Sequence, residues 1–535
     1  LRLAAGSAAH NYGDSSRVAN DSKDLDGNPR IYGKSVDAGA YEYINAGESE
    51  FRPQYVATTL DDSFDLADGA TSLREALYFA NDSNAVITFA DNLSGVLSLN
   101  SQLIVSSSVT IDGSQRVTID AQNNSRAFLV EAPLTLVGLT LVNGSTSENG
   151  GLIYAKESLI IKNSTLDGGT CGDDAFGGLV YAQGAFDADG VVFTNSKSDV
   201  ALYLLGTSSI SKSSVSKSSN DAIYTRTTLA ATDSSIYQNG GRGVVNYYGG
   251  ITLKNVDIYE QAGAGVYNVG SATVENCSIE GNGDSGIINY SLVVSETNVF
   301  ISDATVKNSI VRNNSARNGA GVYNRFGLVE LVNCEISANK AEQAGGGVYN
   351  EVNPRSANSV RLTNCTVAGN YAGIDGGGVA ASQADALLIL YNTIVSANLS
   401  GDLNSNVSCD VSLSSSSLIG TAPGFVVAPV FDYAKKTLVN ADSINLRLAS
   451  NSVAIDAGSD AYVGTNNKVD LDGVNRVYGS NVDLGAYEYH GSSDVAPAPS
   501  YVVTTLADSF NLADGQTSLR EAIYLANQKG KTVTF

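Results

Sequence analysis

Seven times the chain repeats one short phrase: an apolar stretch, an asparagine, a small residue and another apolar pair. The copies are "LIIKNSTLDGG", "ITLKNVDIYEQ", "ATVENCSIEGN", "ATVKNSIVRNN", "VELVNCEISAN", "VRLTNCTVAGN" and "LILYNTIVSAN", centred on Asn163, Asn255, Asn276, Asn308, Asn333, Asn364 and Asn392. Between the first two, Asp189, Lys212 and Asp233 fill the same place, giving steps of 26, 23, 21 and 22 residues; later steps run from 21 to 32. A second phrase alternates with the first: "GGLIYA", "GGLVYA", "VALYLL", "DAIYTR", "GAGVYN" twice, "GGGVYN" and "GGGVAA". Short alternating strands recurring at such steps predict a β-solenoid, each turn burying its apolar face only against its neighbours.

The residues inside one phrase specify the turn. In "VRLTNCTV", Val360 and Leu362 alternate with Arg361 and Thr363, so the apolar pair points inward at period two. The step from Leu362 to Val367 is odd, so the alternation breaks at Asn364 and a bend there returns Cys365 and Val367 to the interior. Asparagine tolerates the left-handed conformation such a bend needs. Stacked one strand spacing apart, about 4.8 Å, the amides of Asn163, Asn255, Asn276, Asn308, Asn333, Asn364 and Asn392 are placed to form a ladder. The next position (Ser164, Ser213, Ser234, Cys277, Ser309, Cys334, Cys365, Thr393) is a column of small residues, and its cysteines read as buried, reduced members. Tyr154, Tyr181, Tyr203, Tyr224, Tyr267, Tyr323 and Tyr349 form another column, read either as aromatic stacking along the solenoid or as a ligand-facing carbohydrate platform.

Composition agrees. A hydrophobic content of 43% and a mean hydropathy of −0.03 permit a packed core, and 54 Gly beside many Ser, Asn, Val and Ile favour short strands and tight turns. The net charge of −23 repels a phosphate backbone, which excludes nucleic acid as a sensible partner. No apolar run of about 18 residues exists, so no membrane span is expected within the chain. Zero Met in 535 residues suggests a fragment open at both ends, which makes the absence of a secretion signal uninformative. Five Cys at irregular spacing match neither a disulfide framework nor a zinc motif.

A longer period encloses the short one. "LRLAAGSAAHNYG" at Leu1 matches "LRLASNSVAIDAG" at Leu446, and "KDLDGNPRIYGKSVDAGAYEY" at Lys23 matches "KVDLDGVNRVYGSNVDLGAYEY" at Lys468. "YVATTLDDSFDLADGATSLREA" at Tyr55 matches "YVVTTLADSFNLADGQTSLREA" at Tyr501. The expected organisation is the end of one module at 1–45, a linker at 46–54, a complete module at 55–489, a linker at 490–500 and the start of a third module at 501–535. Within the complete module we expect a cap helix at 71–81, turns over about 85–420 and a C-terminal segment at 421–489. In "TSLREALYFAN", Ser72 and Glu75 make a capping box, and Leu73, Ala76, Leu77 and Ala80 share one helical face, as befits a lid on the first turn. Arg74 reads as a structural ion pair.

"SLREAL…AN…ITF" followed by such turns resembles the CSLREA-type N-terminal module of bacterial surface proteins, with Thr71 where that pattern usually has Cys. "DLDGVNRVYGSNVDLGAYEY" resembles the C-terminal segment of choice-of-anchor right-handed parallel β-helix proteins, and the turns are similar to polymorphic outer membrane protein repeats. The resemblance implies an all-β, right-handed parallel β-helix (a pectin-lyase-like solenoid) with a short N-terminal capping helix, in tandem modules. It also implies export and display at the bacterial surface in adhesion or matrix roles, without a settled biochemical activity.

This fold also hosts polysaccharide lyases and glycosidases, so any catalytic role rests on particular residues. The two histidines, His10 and His490, lie beside the linkers, so no histidine-dependent mechanism is expected on the solenoid. Asp173 and Asp174, with Asp187 and Asp189 one turn on, are the nearest paired carboxylates, read as structural, as a calcium site or as catalytic. Asp24 and Asp26, and again Asp470 and Asp472, stand in "DLDG" and read as a calcium loop or as a structural turn. The expected function is therefore a non-catalytic, adhesin-like tandem β-helix at the cell surface or secreted, binding glycans or host and matrix surfaces. It carries no cofactor unless calcium. The alternative is a calcium-assisted polysaccharide lyase or another carbohydrate-active β-helix.

Overall fold

The computed structural model describes residues 2–491 apart from 5, 19–21, 32–34, 44–54, 67, 81–84, 296–297, 354–357, 384–385, 402–404 and 465–467. Beyond them it describes 503, 518–520 and 522–523, so the linkers and the expected third module lie mostly outside the described residues. The chain is an all-β, parallel, right-handed β-helix with almost no helix. It divides into two compact units: Leu1–Ala175 with Leu179–Gly184, and Phe176–Gly178 with Ala185–Phe535.

In the first unit the expected lid is the α-helix Leu73–Ala80, whose Leu73, Ala76, Leu77, Phe79 and Ala80 are buried. Its capping box is reciprocal: Glu75 N–H donates to Ser72 Oγ at 3.1 Å and Ser72 N–H to Glu75 Oε2 at 2.8 Å. Arg74 makes a two-bond ion pair with Asp62, both bonds 2.8 Å, and donates to the Ser101 and Gln102 carbonyls, tying the helix to a neighbouring loop. Behind it, Ala85–Phe89 pairs in parallel with Val109–Asp120, then Leu134–Val142, then Leu159–Lys162. The register aligns Val109, Leu134 and Leu159, and Ile111, Leu136 and Ile161, as inward columns, all buried.

Among the described residues the second unit runs three long parallel sheets and a fourth, short one of Ser315–Ala316, Lys340–Ala341, Tyr371–Ala372 and Leu399–Ser400. The first holds Val200–Leu204, Asp221–Thr225, 244–247, 266–268, Ile287–Tyr290, Val322–Arg325, Val348–Glu351 and Val379–Ala381. The second holds Phe186–Asp189, Ser208–Ser211, 228–232, 250–254, 271–275, Asp303–Lys307, Leu328–Val332, Ser359–Thr363 and Leu388–Tyr391. The third holds Val192–Thr194, Ser214–Ser216, 234–237, 256–259, Ser278–Glu280, Ile310–Arg312, Glu335–Ser337, Thr366–Ala368 and Ile394–Ser396. Leu253, Val274, Val306, Leu331, Leu362 and Leu390 form one buried column of the second sheet. Each such side chain contributes about 1.5–3 kcal/mol by burial. The 32-residue turn between Ala272 and Ala304 is lengthened by an antiparallel hairpin, Leu292–Ser295 with Asn298–Phe300.

The bend sits where the broken alternation puts it, except in the turn of Asp189: Asp189 is in register with Ser211, the residue before Lys212, and the left-handed residue there is Gly190 at φ 67°. Asn163 in the first unit, and Lys212, Asp233, Asn255, Asn276, Asn308, Asn333, Asn364 and Asn392 in the second, all have φ between 47° and 56°. After the bend, Ser164, Ser213, Ser234, Ser309 and Thr393 turn a hydroxyl back to the carbonyl two residues earlier. Cys277, Cys334 and Cys365 occupy the same column as buried free thiols, with the Cys277 thiol pushed up to about 12 by burial.

Candidate functional site

The outer face of the first sheet carries the tyrosine column. In the first unit Tyr154 and Tyr181 meet edge to face, centroids 5.3 Å apart. In the second unit Phe176, Tyr203, Tyr224 and Tyr247 form a stack; Tyr203 and Tyr224 lie 4.7 Å apart at 7°. The in-register column runs Tyr203, Tyr224, Val245, Tyr267, Ile288, Tyr323, Tyr349 and Ala380, so two aliphatic positions interrupt it. Tyr247 and Tyr290, two residues along the strand, lie beside those gaps. Where the rings stack, as from Phe176 to Tyr247 and between Tyr267 and Tyr290, the sheet presents edges and phenol groups, whereas Tyr323 and Tyr349 are tilted at 44°.

Arginines border this row. Arg226 lies over Tyr247 at 5.7 Å, Arg242 over Tyr267 at 4.9 Å and Arg325 over Tyr290 at 4.4 Å. Arg242 is held by buried Asp221 at 2.6 Å, and Arg325 faces Glu351 at 3.5 Å. The Tyr323 phenol also donates to Glu351. Burial, then the neighbouring Tyr203, pushes the Tyr224 phenol up to about 12, and burial raises Tyr267, Tyr323 and Tyr349 as well. These phenols stay protonated and donate hydrogen bonds at any physiological pH.

A second cluster lies on the outer face of the third sheet. Asp257 stands where the other turns place Ser214, Ser235 and Ser278. Burial, and then Glu280 on the next turn, push its carboxyl up to about 7. Glu280 pairs with Arg312 at 2.5 Å, and Tyr259, in register with Glu280, stacks on Tyr237 at 5.2 Å. A half-buried carboxyl raised to about 7 with a second carboxyl on the next turn is a recurring arrangement for proton transfer. Sequence reasoning passed over Asp257; its signal is one acid in a column of serines.

The expected calcium carboxylates are fully engaged. Asp24 accepts the N–H groups of Asp26, Asn28 and Glu42, and Asp470 those of Asp472, Val474 and Glu488. Asp26 is paired with Arg2 and Asp472 with Arg447. In each copy the first aspartate closes the turn on its own backbone and the second pairs with an arginine 24 or 25 residues earlier in the chain. Among the described residues no group of three or more His, Cys, Asp or Glu is placed to hold a metal. Asp187 and Asp189 each accept a hydroxyl from the next turn, Ser209 and Ser211, while Asp173 and Asp174 are exposed.

The bend asparagines form a ladder only in part. Asn276 donates to Asn255 at 3.2 Å and Asn333 to Asn308 at 2.8 Å, whereas Asn392 exchanges two bonds with the Ser459 backbone. The Asn364 amide has no partner and Asn163 is exposed. The continuous amide ladders lie elsewhere, at positions the sequence reading did not single out. One runs through Asn246, Asn268, Asn289, Asn324 and Asn350, each Nδ2 donating to the next Oδ1 at 2.7–2.9 Å. The other runs through Asn282, Asn314, Asn339, Asn370, Asn398 and Asn406 at 2.8–3.0 Å. Its signal was a second Asn six residues after the bends at Asn276, Asn308, Asn333, Asn364 and Asn392.

Residues 190–354 match the family model described as a right-handed beta helix region. No curated protein matches the chain by sequence. Among solved structures, the chain is similar to pectate lyase Pel9A (17% identity, 68% of this chain and 88% of that one, TM-score 0.40). It is also similar to the A-module of the mannuronan C-5 epimerase AlgE6 of Azotobacter vinelandii (13% identity, 68% and 98%, TM-score 0.42). A third is the periplasmic alginate epimerase AlgG (12% identity, 62% and 79%, TM-score 0.36). At these identities the likeness is one of fold.

Proposed function

We propose that this protein is a non-catalytic, adhesin-like β-helix, exported and displayed outside the cell, that holds a glycan along the outer face of its first sheet. The observation that carries this reading is the row of Tyr203, Tyr224, Tyr247, Tyr267, Tyr323 and Tyr349 with Arg226, Arg242 and Arg325 beside it. Phenol and guanidinium donors recur there about every 4.8 Å along the axis. A polyhydroxylated chain lying along that axis meets apolar ring edges and, except where a phenol is spent on a neighbour as Tyr323 is on Glu351, a donor. Tandem modules of this kind would add reach and avidity.

A second reading, a polysaccharide-active enzyme, is favoured by one observation: Asp257, its carboxyl pushed up to about 7, beside Glu280 and Arg312. In that reading a protonated Asp257 delivers a proton to a glycosidic oxygen, with Glu280 as the second carboxyl of the pair. The two readings separate in one experiment. A glycan array probed with the full chain, with products analysed in parallel, is expected to show retention without cleavage, lost on combining Tyr224→Ala with Arg242→Ala. Product release abolished by Asp257→Asn would overturn the first reading and install the second.

A further inference from the structure

Apart from glycine, left-handed backbone in the described residues falls on polar side chains and alanine, with two exceptions. These are aromatic: Tyr248 at φ 72° and Phe326 at φ 61°. For a bulky side chain the conformation is strained. Both stand at the corner between the first and second sheets, each just before a glycine, Gly249 or Gly327. Tyr248 is also an extra residue. Two residues separate Tyr247 from Gly250, whereas one separates their partners Val269 and Ser271, and the register shifts there. The next turn therefore closes the same corner without an aromatic. What holds Tyr248 in place is the buried Asn246, whose Oδ1 accepts from Gly249 N–H at 3.1 Å and whose Nδ2 donates to the Gly249 carbonyl at 3.0 Å. An inserted, strained residue that the surroundings fix so firmly points to a use beyond folding.

The two rings end differently. Arg325 stands 4.8 Å over Phe326. Tyr248 turns out of the tyrosine stack, at 69° to Tyr247 and 87° to Phe300, the latter on the hairpin that lengthens its turn. The stacked tyrosines are half-buried, but Tyr248 is 45% exposed. Among the arginines beside the row, Arg242 and Arg325 face carboxylates. Arg226 is exposed, lies 5.7 Å over Tyr247 from the preceding turn, and has no carboxylate partner among the described residues.

Resting on the glycan site proposed for the first sheet, we infer that Tyr248 is its specificity-determining subsite. One hexopyranose lies with its C–H face on the Tyr248 ring, and Arg226 donates to oxygens at that sugar's rim. A pyranose with equatorial hydroxyls carries C–H bonds on its faces and oxygens around its edge. An aromatic ring and a planar donor fork match those two parts. Tyr203 and Tyr224, stacked face to face, offer only edges. Neutral hexoses and hexuronates share this chemistry, since the uronate carboxylate also lies at the rim.

The test uses the full chain on an array of neutral hexose and hexuronate oligosaccharides, followed by calorimetry with the best-retained member of each class. Tyr248→Asn removes the ring but keeps a residue suited to left-handed backbone. It is expected to weaken affinity about tenfold or more, while the melting temperature holds or rises as strain is relieved. Tyr248→Phe, which keeps the ring, is expected to stay within about twofold. Arg226→Ala is expected to weaken affinity about fivefold or more, and the class that suffers most identifies the source of the rim oxygens. Undiminished affinity in Tyr248→Asn, or a loss that merely tracks a fall in melting temperature, would overturn this inference and leave the first-sheet site standing. An unaltered chain that retains no glycan would overturn both.

Discussion

The phenol of Tyr487 donates a hydrogen bond to Oε2 of Glu335, a residue 152 positions earlier in the sequence. Glu335 lies on the third sheet of the β-helix and Tyr487 in the C-terminal "GAYEY", so this bond is one of several that join the segment to the body. Arg447 stands 4.7 Å over the Tyr487 ring, its guanidinium held by Asp472. The Tyr487→Phe variant is expected to leave one oxygen of a buried carboxylate without its donor, costing about 1–3 kcal/mol. Hydrogen exchange should show residues 446–489 opening earlier while the second-sheet amides keep their protection; equal loss of protection throughout would contradict this.

The amide ladder of the first sheet predicts opposite effects at its middle and its end. Asn289 is fully buried and donates to the Ser302 and Leu328 carbonyls and to Asn324. Asn289→Ala leaves those acceptors, and the Asn268 amide, short of a partner, at about 1–3 kcal/mol for each group stranded. At the far end, buried Asn350 Nδ2 has no partner because the next turn has Ala381 in register. Ala381→Asn supplies the missing acceptor and is expected to stabilise by about 1 kcal/mol. Urea unfolding of both variants checks the pair.

Asp257 predicts a pH dependence of stability. Its folded carboxyl, raised to about 7 by burial and then by Glu280, holds a proton that the unfolded chain releases near pH 4. Its contribution is therefore fully present below about pH 4 and is lost as the pH rises through about 7. Asp257→Asn removes that loss. Its melting temperature should equal that of the unaltered chain near pH 4 and exceed it by a few degrees at pH 8, where Arg312 and Glu280 remain paired. Thermal melts at the two pH values measure the difference.

Much of this molecule was legible from local patterns. The alternation of Val360, Arg361, Leu362 and Thr363, and its break at Asn364, marked the inward column and the left-handed bend, because both follow from strand period and backbone sterics. The Ser72–Glu75 capping box was legible for the same reason. The expected Asn ladder was legible only as a bend. Whether neighbouring amides bond depends on which way each side chain leaves the coil, and at the bend they point outward or toward the C-terminal segment. The uninterrupted ladders sit where Asn faces the interior, as at Asn268 and Asn339, because a buried amide must find a partner in the next turn.

The sequence by itself determined the period, the strand faces, the bend and the lid, since each rests on contacts within a turn or between equivalent residues of adjacent turns. Only the tertiary structure decided that Asp24 and Asp470 are consumed by backbone N–H groups, that the tyrosines stack on one another, and that Tyr487 reaches Glu335. These depend on how distant segments close over a charged or aromatic side chain. The cost of burying an unpaired polar group chooses the partner, and that partner has no fixed spacing in the sequence.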